Sequence, residues 1–380
     1  MTAKYFLFVC IAAVMIPDGV GAFCWGAGCI LTVRGAPALT LPHLNSNSRS
    51  GWEQALQPYG AGRRRPTRSY LAGKVVWITG ASSGLGEQLA IAAAAGGARG
   101  IIISGRREDA LERVRQACED ARPSGWEGGA GGVRVLPFDV GDLGFVEKEA
   151  TTRAVGEFGT VDSLVLNAGI STRGSVEETS LDVDKRVMDV NYFGAVGLAK
   201  GLLAACAPPP PLAPAGAGGR VGGKTGPSGG GGGGDGGGGW TGADVRFVVV
   251  NSVQGKFGMA FRSSYAASKH ALVGFFDCLR AERALQGIGV LSVFPGYVRT
   301  SLSMNALTGD GSQHAKMDAT TASGRDPREI ADLIWEAAAG GKEEMVVADL
   351  KTNVAVLLRV LAPRVLFGIM AKRAAKKGAH

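Results

Sequence analysis

From Gly73 onward the chain alternates short, unbroken apolar runs with stretches that read as helices, and this rhythm restricts the fold more than any other feature. Residues 74–79 (KVVWIT) form an apolar run of strand length, followed by a glycine turn and an alanine-rich helix to about Gly96. Residues 101–104 are a second run, ahead of a charged helix over 108–121. Residues 133–137, a helix to about Phe158, residues 161–166 and a long helix from about Asp182 to Cys206 continue the series. Runs apolar on both faces need cover on both faces, as parallel sheets have and half-exposed antiparallel sheets do not. The pattern predicts an α/β fold: a doubly wound, Rossmann-like parallel sheet of about seven strands with helices on both faces.

The segment 207–243 interrupts this with four consecutive prolines, Pro208 to Pro211, and glycine runs on both sides of Asp235. It has too little apolar content to fold and is expected to be a disordered surface insertion. The alternative, a linker between two domains, is disfavoured because the strands on either side, including 245–251, are both needed for one sheet. With 60 glycines in the chain, a glycine motif carries weight only through its position.

One such motif has that position. Thr79-Gly80-Ala81-Ser82-Ser83-Gly84-Leu85-Gly86 joins the first strand to the first helix. Glycines there let the backbone approach a pyrophosphate, and the helix N-terminus favours its charge. A carboxylate ending the second strand would bind the ribose 2′-hydroxyl of NAD. This chain instead has Ser104-Gly105-Arg106-Arg107 and no acid before Glu108, so guanidinium groups suited to a 2′-phosphate make NADP(H) the expected cofactor. Asp139-Val140, after the third strand, is placed to meet adenine, and Asn167-Ala168-Gly169, after the fourth, to close the groove.

The chemistry-bearing residues follow the insertion. Ser252 ends the strand 245–251, and Tyr265 lies thirteen positions later in Ser264-Tyr265-Ala266-Ala267-Ser268-Lys269. Their i, i+4 spacing puts Tyr265 and Lys269 on one helical face. Carbonyl reduction needs a hydride at carbon and a proton at oxygen. Tyrosine ordinarily ionises near pH 10, and a nearby ammonium is expected to pull that value down. Ser252 would stabilise charge on the substrate oxygen. His270, beside Lys269, points to another face and is expected to be an ordinary helix residue.

In this order the motifs resemble the short-chain dehydrogenase/reductase family, from about Gly73 to the C-terminal region outside the insertion. The resemblance implies that Lys269 also binds the nicotinamide ribose, that Asn191 holds a water linking Lys269 to solvent, and that Pro295, Gly296, Val298 and Thr300 contact the nicotinamide. It makes Ser252, Tyr265, Lys269 and Asn191 the catalytic set. Within that family, residues 167–174 (NAGISTRG), 183–188 (VDKRVM), 261–270 (FRSSYAASKH), 275–282 (FFDCLRAE) and the polar stretch 301–325, placed as a substrate lid, resemble the dehydrogenase/reductase member 7 and 7B group. That likeness implies membrane association and a lipid-like ketone, of the acyl- or alkyl-dihydroxyacetone phosphate kind. Arg173, Arg262 and Arg299 sit beside the catalytic motifs as candidates to meet a phosphate, the alternative being that at least two are solvated or paired. Two other functions stay open: reduction of a 3-oxoacyl or 3-ketosphingoid ketone, and a non-catalytic NADP-binding membrane scaffold.

Charge placement argues against nucleic acid. The net +8 divides into +5 over residues 1–73, +7 over 351–380 and a mildly acidic −4 between them. Lys4, the apolar run 5–16 and the small-residue site Val20-Gly21-Ala22 read as a signal peptide over 1–22; a run that short falls below the roughly 20 residues a spanning helix needs. Residues 23–72, nearly free of acid, read as transit-like. Together they resemble a bipartite plastid presequence, with a signal-anchor to the endoplasmic reticulum as the alternative. The catalytic domain is placed at 73–350. At the C-terminus, 351–380, an apolar stretch with Arg359, Arg364, Lys372 and Arg373 is broken by Pro363 and reads as a basic amphipathic helix on an anionic membrane. Packing on the domain or on a second copy in a homodimer is the alternative. Six scattered cysteines, Cys10, Cys24, Cys29, Cys118, Cys206 and Cys278, form neither a disulfide framework nor a metal site and are expected to be unpaired thiols.

Overall fold

The structure, a computed structural model, describes residues 20–25, 28–33, 39–40, 70–123, 131–206 and 245–378. The expected insertion 207–243 and residues 1–19 of the expected signal segment lie outside the described residues. Residues 1–63 and 64–380 are two units. In the first, β1 (Val20–Trp25), β2 (Gly28–Val33) and β3 (Leu39–Thr40) form an antiparallel sheet in which Val20 faces Val33, in a stretch to which the sequence assigns no element.

The second unit is built on β4 (Val75–Thr79), β5 (Gly100–Ser104), β6 (Gly132–Val135), β7 (Ser163–Leu166), β9 (Arg246–Val250), β10 (Gly289–Pro295) and β12 (Glu344–Val347). They form one seven-stranded sheet in the order β12-β10-β9-β7-β4-β5-β6, with parallel pairing throughout. Every residue of β4 and β5 is buried, which is why these runs show no alternation. β8 (Thr172–Arg173) and β11 (Leu307–Thr308) pair separately, tying the segment after β7 to the expected lid.

Helices α1 (Gly84–Ala95), α2 (Glu108–Asp120) and α7 (Pro327–Ala339) pack together on one face. Trp335 of α7, fully buried, donates its indole N–H to the carbonyl of Leu89 at 3.1 Å, so its one polar atom is satisfied in the core. The other face is covered by α3 (143–158), α4 (181–206) and α5 (Ser263–Arg283). The long helix read over 182–206 is interrupted by a π-helical turn at Asp189–Phe193, and a second such turn, Val146–Ala150, lies in α3. A short α6 (Ala319–Ala322) follows in the expected lid.

The sequence predicts one C-terminal helix broken by proline; two are formed, α8 (Leu350–Leu361) and α9 (Pro363–Gly378). Pro363 has no N–H to continue α8 but suits the first position of α9. The Asp349 carboxylate caps α8 by accepting from Thr352 N at 2.9 Å. Leu366 anchors the pair by burial against Phe294, Val253 and Phe257, while Leu357, Val360 and Phe367 are 53%, 70% and 54% exposed. Among the described residues no helix is long and apolar enough to cross a membrane. Of the cysteines, Cys118, Cys206 and Cys278 are free thiols, and burial pushes the first two up to about 12; the other three lie where side chains are not described.

Candidate active site

β4 has β5 on one side and β7 on the other, so the chain winds outward from it in both directions. A crevice opens at the carboxyl ends of the strands at such a point. Thr79, Ser104, Asn167, Ser252 and Pro295 all lie at or just beyond those ends and line a single cleft.

In the cofactor half, Gly80 and Gly84 adopt positive φ of 64° and 63°, a conformation costly for other residues. A Cβ on Gly80 would come within 2.7 Å of the Ala168 Cα, so the glycine turn and the Asn-Ala-Gly segment pack backbone to backbone. Thr79 Oγ1 accepts from the amides of Asn167 and Ala168 at 3.1 and 3.2 Å. The Asn167 amide group donates in turn to Thr79 O and Gly80 O at 3.0 and 3.1 Å. Thr79 and Asn167 therefore hold the turn in shape. Ser82, Ser83, Gly84 and Leu85, at the N-terminus of α1, line the cleft; Gly86 does not, and permits the close approach of Gly80 O instead.

Arg106 and Arg107, both exposed, line the cleft at the end of β5. Arg107 Nη2 donates to Ser83 Oγ at 3.2 Å and Ser82 Oγ at 3.3 Å. Asp139 and Val140 also line it, but the Asp139 carboxylate is engaged by Gly141 N at 2.8 Å and Arg186 at 2.7 Å. Burial would raise its pKa, yet those two partners outweigh burial and hold it below the usual range.

In the chemical half, Ser252, Tyr265 and Lys269 meet as the spacing predicts, all three buried. Ser252 follows β9 directly, and its Oγ accepts from Gln254 N at 3.2 Å. Lys269 Nζ donates to Val250 O at 3.0 Å and lies 5.7 Å from the centre of the Tyr265 ring. The electrostatics differ from the expectation. Burial raises the Tyr265 pKa, and the influences that pull it back are a hydrogen bond with Ser252 and the charges of Arg262 and Arg173. Burial drives the pKa of Lys269 itself down to about 8.

Asn191 does not line the cleft. It sits in the π-turn of α4, where its Oδ1 accepts from Ile170 N at 2.8 Å and its Nδ2 donates to Ile170 O and Ser268 Oγ, each at 2.9 Å. It thereby ties the Asn-Ala-Gly segment to α5, on which Tyr265 and Lys269 stand. Asn251, missing from the sequence reading, does similar work: its Oδ1 accepts from Ser252 N at 2.8 Å and its Nδ2 donates to Lys269 O at 3.0 Å. His270 Nδ1 lies 2.8 Å from Ala266 O on an exposed face, as an ordinary helix residue.

Pro295, Gly296, Val298 and Thr300 line the cleft, and the Thr300 side chain lies 3.1 Å from where a Gly84 Cβ would be. Arg173 and Arg262 also line the cleft, but both are paired with Asp318 of the expected lid, at 2.6 and 2.8 Å. Arg299 pairs with Asp326 at 2.7 Å and is not part of the lining. All three candidate arginines thus have carboxylate partners.

The profile of the short chain dehydrogenase family matches residues 74–211 and 242–310, on both sides of the expected insertion. The chain belongs to the short-chain dehydrogenase/reductase family. It is 42% identical over 310 residues to the dehydrogenase/reductase SDR family member 7B of Bos taurus, covering 82% of this chain and 84% of that protein. Solved structures share the fold. An alcohol dehydrogenase from Thermococcus sibiricus, complexed with 5-hydroxy-NADP, has TM-score 0.52 and 22% identity, covering 72% of this chain and 95% of its own. A short-chain dehydrogenase/reductase from Burkholderia phymatum, complexed with NAD, has TM-score 0.54 and 23% identity, covering 76% and 92%. Short-chain dehydrogenases are oxidoreductases, and the motifs of this chain stand in the order that membership requires.

Proposed function

We propose that this chain is an NADP(H)-dependent carbonyl reductase acting on a lipid-like ketone, of the acyl- or alkyl-dihydroxyacetone phosphate kind. The observation that carries the reading is the meeting of Ser252, Tyr265 and Lys269 in one cleft with the glycine turn of α1. The cradle suits a dinucleotide: Gly80 and Gly84 hold positive φ where the backbone must turn close to a ligand, and the N-terminus of α1 lines the cleft. Ser82, Ser83 and Gly84 would hold the pyrophosphate, and Arg106 with Arg107 the 2′-phosphate. Arg107 already lies over the two serines, and no acidic side chain stands at the end of β5 to prefer a free 2′-hydroxyl.

NADPH, when bound, supplies the hydride to the carbonyl carbon. Tyr265 keeps its proton at neutral pH because burial raises its pKa, so it can donate that proton to the carbonyl oxygen as charge develops there. Ser252 stabilises the same oxygen. Lys269, held near pH 8 by burial, is suited to return a proton toward Tyr265 after turnover. Asn191 and Asn251 position the Asn-Ala-Gly segment, Ser252 and α5.

The lipid-like character of the substrate and a peripheral membrane location are supported by α8 and α9. Their exposed Leu357, Val360 and Phe367 lie among Arg359, Arg364 and Lys372, in a stretch without a single acid after Asp349. A ketone panel tests the reading: purified protein with NADPH or NADH, and phosphate-bearing and phosphate-free lipid ketones of matched length. Consumption of NADPH with formation of the alcohol is expected. Tight NADPH binding with no turnover of any ketone would favour a cofactor-binding scaffold.

A further inference from the structure

Two of the three arginines beside the catalytic residues lie in the cleft wall, Arg262 buried and Arg173 part-buried, and share one carboxylate. Arg173, at the end of β8, donates through Nε and Nη2 to Asp318 Oδ2 at 3.0 and 2.6 Å. Arg262, three residues before Tyr265 and 4% exposed, donates to the same oxygen at 2.8 Å. The other Asp318 oxygen lies 3.8 Å from His314, whose pKa is lowered first by burial and then by Arg173, so that it is neutral at pH 7. The group therefore holds two fixed positive charges against one negative charge in the cleft wall. A buried guanidinium without a full counter-charge is expensive unless something anionic completes it.

The donors point the same way. Arg173 Nη1 is taken up by Ser171 Oγ at 2.8 Å and Thr172 O at 2.7 Å, which fixes that side chain in place. Arg262 donates to Asp318 through Nη2, and its charge lowers the pKa of the Tyr297 hydroxyl beside it. Both arginines line the same cleft as Tyr265, and their charges act on its ionisation. Asp318 belongs to the expected lid, immediately before α6, whereas Arg173 and Arg262 belong to the body.

We infer that Arg173 and Arg262 form a subsite for an anionic group, a phosphate monoester or a carboxylate, carried by the ketone substrate a few atoms from its carbonyl. The inference rests on the reductase reading for its substrate and adds the residues that select it. Asp318 occupies part of the subsite as an internal anion: it keeps the arginines in place and the lid attached, and it weakens the hold on a ligand of the same charge. Arg299, paired with Asp326 outside the cleft, has no part in it.

The test uses the full chain and two readouts. The first is kcat/KM with NADPH for three short-chain ketones identical except for a phosphate, a carboxylate or a hydroxyl at one end. The second is the calorimetric Kd of the three corresponding alcohols in the presence of NADP. Wild type prefers one or both anionic ligands over the neutral one, and the better of the two identifies the group. In Arg262→Gln and in Arg173→Gln that preference falls by about 10- to 100-fold, the worth of one charge-assisted hydrogen bond, while NADPH affinity is retained and reports that the fold is intact. In Asp318→Asn the arginines keep their charges and lose their competitor, so the preference rises by about fivefold or more. Equal turnover of charged and neutral ketones by wild type would overturn the subsite and leave the reductase standing. Arginine-dependent binding of the anionic alcohol without any oxidation of NADPH would do the reverse. A fall in preference in Asp318→Asn would show that the three residues only fasten the lid, and would also overturn the inference.

Discussion

Replacing Lys269 by methionine should make the cofactor-free protein more stable at neutral pH while removing its activity. Lys269 is 4% exposed, and among the described residues its one hydrogen-bond acceptor is Val250 O. Burial lowers its pKa from 10.5 to about 8. At about 1.4 kcal/mol per pH unit, keeping the ammonium protonated inside the fold at pH 7 costs about 3 kcal/mol relative to the unfolded chain. Between pH 8 and 10.5 the unfolded chain binds more protons at this residue than the folded one. The residue's contribution to stability therefore rises with pH through that window, is complete above the unfolded pKa, and is lost as pH falls through about 8. Methionine removes the titration but leaves Val250 O without its donor, a loss of about 1 kcal/mol. The variant should exceed wild type by about 2 kcal/mol at pH 7, and the advantage should vanish by about pH 10. Urea denaturation without cofactor at pH 7, 8, 9 and 10 measures this. A variant less stable than wild type at pH 7, or a difference that does not change with pH, would refute the argument.

Arg107→Glu should shift cofactor preference from NADPH toward NADH by about 100-fold, since a charge-assisted contact is replaced by repulsion of the 2′-phosphate; unchanged relative Kd values would contradict the assignment. Asn191→Ala leaves Ile170 N and O and Ser268 Oγ without their partner. It should lower stability by about 2–3 kcal/mol in denaturant titrations, and a change below about 0.5 kcal/mol would rule out the positioning role. The double substitution Leu357→Glu and Val360→Glu should abolish co-flotation with anionic phospholipid vesicles while NADPH binding persists; undiminished flotation would remove these helices from the membrane contact.

Much of the scaffold is legible because local sequence and global fold agree. Residues 75–79 and 100–104 are buried on both faces, so their runs are apolar throughout and announce a parallel sheet. The cofactor turn is legible for the same reason, since its glycines are required by backbone geometry rather than by partners far away. What is not legible depends on long-range pairing. Arg173 and Asp318 are 145 positions apart, and nothing local marks the lid carboxylate as the one that both cleft arginines share. The π-turn that sets Asn191 against Ile170 has no composition of its own. The Tyr265 environment is only partly legible from spacing. The i, i+4 rule places Lys269 on the same face but does not reveal that its ammonium is desolvated, nor that the charges of Arg173 and Arg262 also act on the phenol. Asn251 is one position before Ser252, where a strand residue reads as packing, yet it holds both Ser252 N and Lys269 O.

The central claim is that Tyr265 delivers the proton in an NADPH-dependent carbonyl reduction. The direct measurement is NADPH oxidation and alcohol formation by wild type and Tyr265→Phe on the same lipid ketone, alongside the NADPH Kd of each. Wild type should form one alcohol per NADPH consumed. The variant should lose at least about a thousandfold in kcat, as expected when a positioned acid is removed, with its NADPH affinity within about twofold of wild type. Turnover by Tyr265→Phe at a rate close to wild type would contradict the account.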